Sequence, residues 1–141
     1  MKPGEIHYHN AFYRNASSGE LERKYLVVLA RTQGNDLVAR LLTSRPHARP
    51  ESPKCFHGHP YPGFFLGVLG GTLGAKSWVD LRYLDDLDSF EADRLIKHNI
   101  LGHVMTLDYP VLEEILECAA RADDTTVLQE KALRDELTRL R

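Results

Sequence analysis

Apolar and polar positions over roughly the first eighty residues read as short strands, the first with a period of two, and a helical period appears only after them. In residues 5–13, Ile6, Tyr8 and Phe12 alternate with polar Glu5, His7, His9 and Tyr13, the signature of a half-buried strand. Residues 25–30 and 37–42 are nearly continuous apolar runs. Gln33-Gly34-Asn35-Asp36 between them tolerates positive φ and predicts an antiparallel hairpin. Residues 15–22 are small, polar and contain Gly19, which predicts a mobile hairpin loop leading into Arg23-Lys24. Pro46, Pro50, Pro53, Pro60 and Pro62 then break any regular ladder, because proline supplies no backbone donor, and a long, partly ordered excursion is expected. Further strands are expected at 64–69, stopped by Gly70-Gly71, and at 77–81.

The helical signals come late. Residues 89–98 fit one short helix, 100–104 a closing strand, and Thr106 or Asp108 can cap a helix with Val111, Leu112, Ile115, Leu116 and Ala119 on one face. Residues 127–141 are rich in helix formers, with Leu133, Leu137 and Leu140 forming a stripe that is either a dimer contact or a face docked on the body. About five short strands before any helix predict a mainly β fold, a small β-barrel with peripheral helices. The domain would span 1–122, followed by an accessory helical tail at 123–141.

The 141 residues suffice for one domain with a real core. A formal charge of −2 argues against general coating of nucleic acid, so any phosphate contact must be local, and no DNA partner is expected. The cysteines, Cys55 and Cys118, lie far apart without paired spacing, which suggests neither a disulfide framework nor a cysteine-only zinc site. With no apolar signal segment after Met1-Lys2-Pro3-Gly4-Glu5 and no membrane-length apolar run, a soluble, cytoplasmic protein is expected.

Candidate chemistry gathers where two strands end. Arg23-Lys24 opens the strand at 25–29, and Thr43-Ser44-Arg45 closes the one at 37–42. Adjacent strands so equipped bring cations and hydroxyls onto one surface, a combination suited to a phosphodiester. Lys24 or Arg23 would stabilise charge building on the phosphate, and Thr43 and Ser44 would orient it by hydrogen bonds, with the proton acceptor unassigned. The competing reading is that the cations solubilise a hairpin entrance and Thr43-Ser44 caps a strand.

Several landmarks occur in a definite order: Pro3-Gly4-Glu5-Ile6, a polar loop, a basic pair before Leu26-Val27-Val28-Leu29, Thr43-Ser44, Ser77-Trp78-Val79-Asp80-Leu81, and Leu101-Gly102-His103-Val104 before a capped helix. Together, over roughly residues 3 to 120, they resemble the MazF/PemK-like toxin family of type II toxin–antitoxin systems. The resemblance implies an SH3-like barrel with a C-terminal helix, a homodimer, an antitoxin partner covering the substrate groove, and a sequence-specific endoribonuclease that hydrolyses single-stranded RNA without metal or cofactor. It carries the catalytic role to Lys24 and Thr43, and substrate contacts to Arg23, Ser44 and Arg45. Family members place an arginine and a proline before the Val-Val-Leu strand, whereas this chain has Lys24 and Tyr25. Lysine lacks the two parallel donors of arginine. A silent RNA- or protein-binding module of the same fold is therefore the rival reading.

Other residues carry weaker signals. Tyr61, between Pro60 and Pro62, is the best exposed aromatic for stacking a base, while Phe64, Phe65 and Trp78 fit a core. Cys55, His57 and His59 alternate and could share one side of an extended chain, with His7 and His9 as additions, but no acidic fourth ligand accompanies them and surface histidines are the simpler reading. Asp80, Asp85, Asp86 and Asp88 read as a solvated turn and helix start rather than a magnesium site.

Overall fold

A computed structural model describes residues 1–141. Seven antiparallel strands form one sheet in the order β4-β5-β6-β3-β2-β1-β7. They are β1 (Glu5–Arg14), β2 (Leu21–Arg31), β3 (Leu37–Thr43), β4 (Cys55–Phe56), β5 (Gly63–Gly67), β6 (Ser77–Asp80) and β7 (Leu101–Thr106). Three helices accompany them: α1 (Ser89–Lys97), α2 (Tyr109–Ala120) and α3 (Val127–Leu140). The fold is thus mainly β, as the periodicity requires. Hydrogen bonds do not close the sheet into a barrel, because β4 and β7 remain its two edges.

The apolar runs of β2 and β3 are continuous because both faces of the sheet are covered there. Val27, Leu29 and Val38 join one core with Leu112, Ile115 and Leu116 of α2 and Leu133 and Leu137 of α3. Leu26, Val28, Leu37 and Ala39 join a second, smaller core with Ala92 of α1 and Leu101 of β7. The leucine stripe of α3 is therefore docked on the body rather than free to pair with another chain. Thr126 and Gln129 cap that helix reciprocally, which satisfies two otherwise orphaned donors.

Arg40 sits among these apolar residues with no exposed surface. Its guanidinium donates to Ala39 O at 2.8 Å and to Gln129 Oε1 at 3.0 Å, and the Gln129 amide donates on to Asp86 Oδ1 at 2.8 Å. A buried cation needs such partners, and this chain of bonds ties α3 to β3. Gly4 supplies the other tie at this end. At φ +91 it donates to Val28 O and accepts from Leu107 N, linking β2 to the segment before α2.

Two sequence expectations are corrected here. The proline-rich stretch is pinned, with Trp78 Nε1 donating to Pro50 O at 3.0 Å and Arg49 Nε to Pro62 O at 3.0 Å. Cys55 and Cys118, 63 residues apart, are joined as a disulfide with Cα atoms 5.7 Å apart, because β4 lies against α2. Sequence spacing carries no record of that approach.

Candidate functional site

The last register pair between β2 and β3 is Tyr25 with Leu42, and Thr43 pairs in turn with Trp78 of β6. One step further along the same register, Lys24 stands opposite Thr43. Arg23, Lys24, Thr43, Ser44 and Arg45 all line one cavity of about 530 Å³. The five strand-end residues predicted to act together are therefore brought together.

Three of them have local partners. Lys24 Nζ lies 5.5 Å from the ring centre of Tyr13, and the Arg23 guanidinium 4.7 Å from that of Tyr8 while it donates to Asn10 Oδ1. Thr43 Oγ1 accepts from the backbone N–H of Arg45 at 3.1 Å. That bond uses the oxygen and leaves the hydroxyl proton free to donate to a ligand. Ser44 and Arg45 are exposed.

The structure adds residues that sequence reasoning missed. His47, Arg49, Thr72, Ser77, Asp80 and Arg82 also line the cavity. The spacing Arg45, His47, Arg49 was the available signal, but prolines around it masked any periodicity. Arg49 is nearly enclosed, and its Nη2 lies 3.1 Å from Asp80 Oδ1. Arg82 meets the same carboxylate, with Nη2 at 2.7 Å from Oδ2. Burial alone would favour the neutral acid, yet the Arg82 side-chain and backbone bonds and the two positive charges hold Asp80 below the usual carboxylate range. Burial also pulls the Arg49 guanidinium below its ordinary value, an effect that Asp80 opposes, whereas the bond to Asp80 raises Arg82. Among the side chains lining the cavity Asp80 is the one carboxylate, set against Arg23, Lys24, Arg45, Arg49 and Arg82, so the lining favours an anion.

Tyr61 does not stand free for a base. It is half-buried, stacked on the His47 imidazole at 4.6 Å, with the guanidinium carbons of Arg82 and Arg49 at 5.0 and 5.3 Å from its ring centre. It thus packs beside His47, which lines the cavity. Phe64 and Trp78 are buried, and Phe65 packs on Trp78 with ring centres 5.1 Å apart. The four aspartates separate: Asp80 takes the arginines, Asp85 accepts from Tyr83 Oη, Asp86 from Gln129, and Asp88 caps α1.

The histidines also part company. His7 is buried, its Nε2 2.9 Å from Glu5 Oε1, and burial holds it below the ordinary imidazole value against the pull of Glu5. Burial likewise lowers His9. His59 faces Asp123 at the surface, with 3.0 Å between Nε2 and Oδ2. His57 alone of the histidines turns to the cysteines, its Nε2 donating to the Cys118 carbonyl oxygen at 2.9 Å and lying 3.5 Å from Cys55 Sγ and 3.6 Å from Cys118 Sγ. No helix is long and apolar enough to cross a membrane. No protein-family model, curated protein or solved structure matches the chain.

Proposed function

We propose that the cavity between the ends of β2 and β3 binds the backbone of single-stranded RNA and cleaves it without metal, in the manner of MazF/PemK-like toxins, on an SH3-like fold. The observation that carries this reading is the convergence of five cationic side chains, with a single, doubly paired carboxylate, on the same cavity as the Thr43 and Ser44 hydroxyls. Phosphate is the biological anion such a surface suits, because arginine and lysine bind it through charge-assisted hydrogen bonds.

In the proposed reaction a ribose 2′-oxygen attacks the adjacent phosphorus and the 5′-oxygen leaves, giving a 2′,3′-cyclic phosphate. Lys24, with Arg23, stabilises the charge that grows on the phosphoryl oxygens, and Thr43 donates a hydrogen bond to them. His47 supplies the acceptor for the 2′ proton that the strand-end residues lack, since imidazole is the side chain best suited to proton transfer near neutral pH. Action in the cytoplasm, homodimerisation and an antitoxin that covers the groove belong to the same proposal.

The test is incubation of the purified chain with mixed single-stranded RNA in excess chelator. Products ending in cyclic phosphate support cleavage. Intact RNA retained in a salt-sensitive complex supports the rival, a silent binding module, for which lysine at position 24 is the favouring observation. Absence of both binding and cleavage removes RNA as the ligand.

A further inference from the structure

Independently of the RNA reading, we propose that Cys55, His57 and Cys118 form a redox-gated site for a thiophilic transition metal such as zinc. Their ligand atoms all lie within 4.8 Å of one another. They come from two elements, with Cys55 in β4, His57 just after it and Cys118 in α2. With metal bonds of about 2.3 Å to sulfur and about 2.0 Å to nitrogen, a tetrahedral zinc sets nitrogen about 3.5 Å from each sulfur. His57 Nε2 already stands 3.5 Å and 3.6 Å from the two sulfurs. The imidazole thus stands at ligand distance from both sulfurs; to take an ion its Nε2 must release the Cys118 carbonyl oxygen, 2.9 Å away, and the sulfurs must part to about 3.7 Å in the same geometry. Cys118 is buried while Cys55 and His57 are half-buried, so the fourth position opens toward solvent and takes a water.

The disulfide is the metal-free form. A dithiol reductant donates two electrons and two protons to the Cys55–Cys118 bond and is itself oxidised to a disulfide. The metal then displaces both thiol protons and binds two thiolates and the neutral His57 imidazole. Either state clamps β4 to α2. In the disulfide form His57 Nε2 donates to the Cys118 carbonyl oxygen at 2.9 Å, and metal binding exchanges that hydrogen bond for a bond to the ion.

The full-length chain, reduced with a phosphine that is then removed under anaerobic conditions, is titrated with cobalt(II) and with zinc(II), beside the oxidised chain. The reduced protein should take up one ion per chain with tetrahedral cobalt d–d and thiolate charge-transfer bands, release about two protons, and melt higher with metal than without. The oxidised protein should show none of these. Reduced His57→Ala should bind roughly tenfold or more weakly, and reduced His59→Ala as tightly as the parent, since His59 faces Asp123. His57→Ala keeps both cysteines, so the oxidised variant reports whether folding is intact. Failure of the reduced parent to bind tetrahedral cobalt, equal affinity in His57→Ala, or equal binding by the oxidised chain would each overturn the proposal.

Discussion

The guanidinium of Arg49 lies 3.1 Å from the carboxylate of Asp80, and both residues are buried. One comes from the loop after β3 and the other from the end of β6, so the pair holds that loop over the cavity. Asp80→Asn would leave the Arg49 charge enclosed without its counter-ion, and should lower stability by about 3 kcal/mol or more in urea denaturation. The same pair sets an acid limit. Because the folded Asp80 holds its proton less tightly than an unfolded carboxylate, its contribution is complete above the ordinary carboxylate value of 3.8 and declines as pH falls below it toward the lower folded value. The stability of Asp80→Asn should show less pH dependence in that window, and an unchanged slope would remove Asp80 as its source.

Lys24 and Thr43 test the proposed chemistry. Lys24→Ala should slow RNA cleavage by about 10²-fold, ~2.7 kcal/mol of transition-state stabilisation, by analogy with loss of one oxyanion donor. Lys24→Arg should hold activity level or raise it, since it restores a two-pronged donor. Thr43→Val, nearly equal in shape and at home in a strand, should impair turnover while leaving the melting temperature close to that of the parent. Parental rates in all three variants would move the site elsewhere.

Gly63 packs against Arg49, which lines the cavity. A β-carbon there would come within 2.5 Å of Arg49 Cδ and 3.2 Å of the Val79 carbonyl oxygen. Gly63→Ala should therefore displace Arg49 from Asp80, and weaken RNA binding with a smaller salt slope as well as stability. A variant whose binding and salt dependence match the parent would show that Arg49 contributes nothing to the ligand surface.

Gln129 tests the tie between α3 and the sheet. Gln129→Leu removes the acceptor of the buried Arg40 and the donor to Asp86. The loss should be about 2–3 kcal/mol, the cost of a buried charged group deprived of a hydrogen bond. Arg40→Met in the same background should recover part of it, because an apolar side chain needs no partner there. Failure of the double variant to recover would place the cost in α3 itself.

Residue order alone determined much of this molecule. The alternation in β1 and the apolar runs of β2 and β3 dictate strands, the helix start at Asp88 dictates where α1 begins, and the run of helix formers after residue 126 dictates α3, because these signals act over a few residues. The strand-end cluster Arg23, Lys24, Thr43, Ser44 and Arg45 was legible for the same reason, since a hairpin register fixes which ends meet. What joins distant segments was decided only by the tertiary structure. The Cys55–Cys118 bond, the His57 imidazole between those sulfurs, the Arg40–Gln129 contact and the Arg49–Asp80–Arg82 group all bridge elements whose approach depends on how α2 and α3 cover the sheet and how the proline-rich loop folds back. Tyr61 shows the limit: proline neighbours suggested exposure, yet packing laid His47 and two arginines against its ring, because burial is settled by the whole core and not by the neighbours in the chain.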